Sequence, residues 1–164
     1  MTTGKLGLPF EYQVSPEYFD TYNISDDTDA KNSVIEKILK EHAVKTVLDL
    51  TCGTGSQVFY LSKHGLKVVG ADISSALIEI AKKKAVKEKI KTKFIHGDMR
   101  TIREGQFDAV ISIFNAVGHL SKSDFLKAIK NISHNLNDGG IYVFDILNLE
   151  IMTDEQVAKL AWHI

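Results

Sequence analysis

Carboxylates close three short apolar runs, and two glycines follow the first of them. Thr46-Val-Leu-Asp-Leu50 carries Asp49 near its end and passes directly into Thr51-Cys-Gly-Thr-Gly55. Lys67-Val-Val-Gly-Ala71 ends on Asp72, and Thr92 to His96 leads into Gly97-Asp98-Met99. A buried strand that turns through glycines into a helix leaves free backbone N–H groups and lets a ligand approach the backbone closely. An acid roughly 20 residues farther on, at the end of the next strand, is where a ribose diol is held. These residue types at this spacing suit a ligand built on a nucleoside. The dinucleotide fingerprint asks for a third glycine at position 58, where the chain has Val58. An NAD-dependent oxidoreductase is therefore an alternative rather than the first reading.

The elements that position these residues alternate. A short helix begins at Ser15-Pro16-Glu17, with Ser15 as N-cap and Pro16 at the first helical position; Tyr18, Phe19 and Tyr22 share one of its faces. Ser25 to Asp29 is a polar break. A longer helix over 29–42 follows, with Val34, Ile35, Ile38 and Leu39 on one stripe. After the glycine turn a helix runs over 56–64 and stops at Gly65, a natural residue past a helix end. Ser74 caps the next helix, with Ile73 and Ile78 placed to form a hydrophobic staple. Lys82, Lys83, Lys84 and Lys87 suit the C-terminal half of that helix as a solvated face. Residues 108–113 form the fourth strand. Ser121 opens a helix to about Asn135 with Phe125, Ile129 and Ile132 inward. Asp138-Gly139-Gly140 is a tight turn into a fifth strand over 141–146. Thr153-Asp-Glu-Gln156 caps a final helix, and the first 14 residues are a loose arm. Such alternation predicts an α/β fold, a Rossmann-like parallel sheet of order 3-2-1-4-5 with helices on both faces and the ligand at the strand C-termini.

In these motifs and their order the chain resembles the class I S-adenosylmethionine-dependent methyltransferases. Asp49 to Gly55 looks like their glycine-rich first motif, Val68 to Asp72 like the second and Gly97-Asp98-Met99 like the third. Phe107 to Asn115 looks like the fourth strand of that family, and Leu136 to Phe144 like the turn into its fifth. The resemblance implies S-adenosyl-L-methionine as cofactor. It places Asp49 near the methionine amino group, Leu50, Thr51 and Cys52 along the turn, and Gly53 and Gly55 against the methionine and ribose portions. Asp72 then takes both ribose hydroxyls, Ile73 packs on the adenine face, Asp98 accepts from the adenine amine and Met99 offers a wall. Phe114 and Asn115 lie over the methyl. Tyr18 or Tyr22 either lies across the pocket as a lid residue or packs in the core.

The stretch Phe114 to Leu120 lacks the Asn/Asp-Pro-Pro-aromatic signature of nucleobase-amine enzymes. It looks like the corresponding loop of small-molecule N-methyltransferases, including amino-sugar and glycine-type enzymes. His119 is the candidate catalytic residue, binding the acceptor or taking its proton, or else it satisfies loop carbonyls. Asp145 either binds a cationic acceptor or caps the loop that follows it. The family usually continues past the fifth strand with a helix and two further strands, which this chain lacks. Strand 5 is accordingly expected as an open edge through which copies could associate, and a non-catalytic cofactor-binding fragment is a second alternative.

Composition narrows the rest. A length of 164 residues, 44% hydrophobic and 25% charged, fits one domain. It divides into a helical cap over 1–42 and a cofactor-binding core over 43–164. A formal net charge of −1 gives no case for nucleic acid or an anionic membrane, and the apolar runs are strand-sized. Cys52 is the single cysteine, which fits a reducing cytoplasm. The histidines show no ligand spacing, so no metal is expected. The partner expected is a small molecule.

Overall fold

The computed structural model describes residues 16–20 and 27–148. Its centre is a five-stranded parallel sheet in the order β3-β2-β1-β4-β5. The strands are β1 (Thr46–Asp49), β2 (Lys67–Asp72), β3 (Lys93–His96), β4 (Phe107–Ser112) and β5 (Leu136–Phe144). The helices are α1 (Asp27–Glu41), α2 (Ser56–Lys63), α3 (Ser75–Glu88) and α4 (Lys122–His134), with a short 3-10 helix at Ala116–His119. Residues 16–20 are helical, beginning as a 3-10 turn at Pro16–Tyr18.

The inner strands β1, β2 and β4 are sandwiched, so both of their faces must be apolar. Val47, Val68, Ala109 and Ile111 face one core, closed by Ile35 and Leu39 of α1, Val58 and Leu61 of α2, and Ile78 and Ala81 of α3. Leu48, Ala71 and Val110 face the other, closed by Ala128 and Ile132 of α4. Burying one such side chain contributes about 1.5–3 kcal/mol. The register Asp49↔Gly70 and Asp49↔Ile111 sets the C-termini of β1, β2 and β4 side by side, with the strand order reversing between β1 and β4.

The helix signals act locally. The Ser74 hydroxyl accepts from Leu77 N, and that of Ser121 from Asp124 N, capping α3 and α4. Gly65 takes φ +89 past the end of α2. Elsewhere the same left-handed turn is made without glycine, at Ala43 after α1 and at Lys89 after α3.

The fifth strand departs from expectation. It begins at Leu136, and Asp138-Gly139-Gly140 is not a turn ahead of it but an irregularity within it. Phe107 pairs with Leu136, yet Ala109 pairs with Ile141, so β5 carries extra residues over that interval. The glycines permit this: Gly139 has φ +78, and a Cβ on Gly140 would lie 2.9 Å from Asn137 O and 3.1 Å from Asp108 O. Asp108 anchors the same edge, its carboxylate accepting from Lys45 N, Thr46 N and Asn137 Nδ2, each at 2.9 Å. Those bonds hold its carboxyl down at about 2.

The arm, the Ser15 cap, Tyr22, the Ser25–Asp26 part of the expected break, the Thr153 capping box and the last helix lie outside the described residues, while 27–29, expected as the rest of that break, already form the first turn of α1. Among the described residues no helix is long and apolar enough to cross a membrane.

Candidate active site

Two buried carboxylates flank the glycine turn. Asp72, at the end of β2, is 7% exposed, and its oxygens accept from Gly53 N and Ser74 N, both at 2.8 Å. Burial nevertheless raises its pKa. Asp49, at the end of β1, is 1% exposed; its Oδ1 accepts from Thr51 N at 3.1 Å, while Oδ2 has no partner. Burial, opposed by the Thr51 bond and reinforced by Asp72, raises this carboxyl from 3.8 to about 8. A buried carboxylate oxygen without a donor is costly unless a cation or donor meets it. The Thr51 hydroxyl beside it is likewise buried and unpartnered.

The turn between them is closed to side chains. Gly53 has φ +51, and a Cβ there would stand 2.9 Å from the Phe19 ring; Gly55 has φ +97, and its Cβ would stand 2.8 Å from Phe59 Cε2. Cys52 packs beneath with its amide bonded to Ala71 O at 2.9 Å, and burial raises its thiol pKa, so it stays protonated. Leu50 and Met99 belong to the second core, and Ile73 is half-buried at the strand edge.

Asp98 is held by a residue that the sequence reading did not single out. Its Oδ1 accepts from Arg100 N at 2.8 Å and Nε at 2.9 Å, and its Oδ2 from Nε at 3.0 Å and Nη2 at 2.5 Å. The guanidinium lowers the Asp98 pKa and also reaches Asp124 of α4 at 3.1 Å. An adenine amine at Asp98 must share that carboxylate with Arg100. An opposite charge two residues away was the available signal. The loop behind is clamped by Asn131, which donates to Met99 O at 3.0 Å and Ile102 O at 2.7 Å.

Asp20, in the segment over 16–20, was not singled out from the sequence. Asp20 accepts from the Thr54 hydroxyl and from Lys84 Nζ, which fixes it over the glycine turn. Lys84 is therefore not simply part of a solvated face. It stands seven residues after the buried Leu77, on the inner edge of α3.

The other wall follows β4. Phe114 and Asn115 both adopt left-handed φ, +63 and +55. Such residues cost of order 1–3 kcal/mol each and persist only where surroundings enforce them. Asn115 N donates to Asp145 Oδ1 at 2.7 Å, and Leu147 N donates to Asn115 Oδ1 at 3.2 Å, tying together the ends of β4 and β5. His119 ends the 3-10 helix, largely exposed, and desolvation by its surroundings lowers its pKa. A cleft of about 760 Å³ at the opposite edge of the sheet is lined by Lys63, Lys67, Lys91 and Lys93 and by no carboxylate, so it is not this site.

The site fits a sulfonium nucleoside carrying an amino group. Asp49 Oδ2 lacks a partner, and the turn beside it is built of glycines whose missing Cβ lets the Phe19 and Phe59 rings pack against its backbone. A family described as "Methyltransferase domain" matches residues 47–140. Among curated relatives, "Putative methyltransferase YqeM" from Bacillus subtilis (strain 168) is 35% identical over 103 residues, covering 61% of this chain and 41% of that protein. "Glycine N-methyltransferase" from Homo sapiens is 31% identical over 130 residues, covering 69% and 44%. The solved PH0226 protein from Pyrococcus horikoshii OT3 superposes with a TM-score of 0.74 at 28% identity, covering 92% of this chain and 67% of that one. The chain spans about half the length of the curated relatives it matches. With the family matched over 47–140, from β1 into β5, and the sheet in the order β3-β2-β1-β4-β5, the chain belongs to the class I S-adenosylmethionine-dependent methyltransferases.

Proposed function

We propose that this chain forms the cofactor-binding part of an enzyme that moves a methyl group from S-adenosylmethionine to a nitrogen of a small molecule, in the cytoplasm. The observation that carries the reading is Asp49 Oδ2, buried without a partner beside the glycine turn. In this reading Asp49 takes the methionine ammonium. Gly53 and Gly55 admit the chain and sugar, and Asp72 takes the ribose hydroxyls with the lone pairs left by Gly53 N and Ser74 N. Ile73 and Met99 form apolar walls, Leu50 contributes backbone at the start of the turn, and Asp98, oriented by Arg100, meets the adenine amine. Thr51 adds its orphan hydroxyl.

When bound, the sulfonium supplies an already activated methyl, so the protein's task is alignment and exclusion of water. Phe114, Asn115 and His119 stand on the acceptor side. The lowered pKa of His119 keeps its ring neutral at pH 7, so a ring nitrogen is free to take the proton of an attacking amine. Nitrogen as the acceptor atom is supported by the similarity to glycine N-methyltransferase.

Calorimetry with S-adenosylhomocysteine and with NAD tests the cofactor; tighter binding of NAD would reverse the reading. Incubation with labelled methyl donor and a panel of small amines then tests transfer. Turnover by this 164-residue chain would rule out a merely cofactor-binding fragment.

A further inference from the structure

The ammonium of Lys31, on α1, stands 4.6 Å from the centre of the Phe114 ring and 2.9 Å from Asp145 Oδ2. A ring face joined to a carboxylate is the chemistry that selects an alkylammonium over a neutral or anionic group. Both walls are built without help from Lys31. Asp145 is oriented through its other oxygen by Asn115 N, and the ring follows from the left-handed turn at Phe114 and Asn115, which Leu147 N also secures. Lys31 itself is loosely committed. Its side chain is 40% exposed and that of Asp145 33%, and ion pairs so exposed are weak. Its flexible stem can swing the charge into water.

The geometry points to an ammonium-binding box at the ends of β4 and β5, in which Phe114 and Asp145 Oδ2 receive the cationic amine of the acceptor and Lys31 holds the place until it arrives. This deepens the proposed methyl transfer and rests on it, by naming the acceptor class as a small molecule that carries an alkylammonium group. The box recognises that group in its protonated form, and because an ammonium has no lone pair the nitrogen gives its proton to a base, the role assigned to His119, before it takes the methyl. Displacing Lys31 keeps the charge balanced, since one ammonium replaces another over the same carboxylate. A strut joining α1 to β5 is the competing role for Lys31, and the two roles predict opposite effects of its removal.

The test titrates n-propylammonium chloride into the full chain and follows the Asn115 and Leu147 amides by two-dimensional 1H–15N NMR, with n-propanol as the uncharged control. The expected result is that the ammonium shifts both amides and the alcohol neither. Lys31→Met should tighten the ammonium about threefold to fivefold, because a weakly held competitor occupying a site about two-thirds to four-fifths of the time weakens apparent affinity by that factor. Asp145→Asn should abolish the shifts while S-adenosylhomocysteine affinity stays unchanged. The inference is overturned if Lys31→Met binds no tighter, if Asp145→Asn still responds, or if n-propanol moves the same amides. The titration is read without cofactor, so failure of S-adenosylhomocysteine to bind the wild type would count against the methyltransferase reading separately.

Discussion

Replacing Asp49 by asparagine should stabilise the ligand-free chain and weaken its hold on cofactor. The native carboxyl titrates at about 8, against 3.8 for the free group. Between those values the folded chain keeps a proton that the unfolded chain has released, so stability falls as pH rises and levels off above about 8. At about 1.4 kcal/mol for each tenfold step, the loss has a ceiling of about 5 to 6 kcal/mol above pH 8, and about 4 kcal/mol at pH 7. Local relaxation and water reduce this, and about 2–4 kcal/mol at pH 7 is the working expectation, a large share of the 5–15 kcal/mol typical of a whole domain. Asp72 is also raised by burial and acts in the same direction, so the asparagine variant keeps a smaller slope of its own. The assay is urea unfolding of wild type and Asp49→Asn from pH 4 to 9 without ligand. The two should agree near pH 4 and diverge progressively to pH 8, with the variant more stable. Parallel curves would refute the claim that this carboxylate is buried and unpaired.

Gly53→Ala combines a left-handed φ with a Cβ 2.9 Å from the Phe19 ring, so thermal unfolding should report a loss of about 1–3 kcal/mol, and calorimetry a loss of S-adenosylhomocysteine binding. Asp108→Asn breaks the anchor for Lys45 N and Thr46 N, and its contribution is present above the ordinary carboxylate range and lost as pH falls through about 2. Solvent screening at this rim limits the cost to about 1 kcal/mol, measurable by denaturant midpoints at pH 7 and expected to shrink toward pH 2. His119→Ala should abolish methyl transfer with cofactor affinity retained; unchanged turnover would reject its catalytic role.

The sheet was legible because parallel strands buried on both faces must read as unbroken apolar runs, and Val47-Leu48, Val68-Val69 and Ala109 to Ile111 do so. The caps Ser74 and Ser121 were legible because their hydroxyls act within three residues. Signals that depend on distant partners were not. Nothing local says that Asp20 meets Thr54 and Lys84, since those pairs are 34 and 64 residues apart. The start of β5 was misjudged because Asp-Gly-Gly is turn chemistry, and only pairing against β4 turns it into an irregular strand. Asp145 reads from the sequence as binding a cationic acceptor or capping the loop that follows it, whereas its oxygens accept from Lys31, 114 residues earlier, and from Asn115 N after β4, partners no local pattern announces.

The proton stored on Asp49 changes how the molecule presents itself to an electric field. The formal charge of −1 counts every carboxylate as ionised, yet a carboxyl titrating at about 8 is mostly uncharged at pH 7, which brings the folded, ligand-free chain to about zero. Proteins near their isoelectric point repel one another least and come out of solution most readily. Unfolding in urea releases that proton, so the denatured chain should migrate as the more anionic species on a gel run at neutral pH.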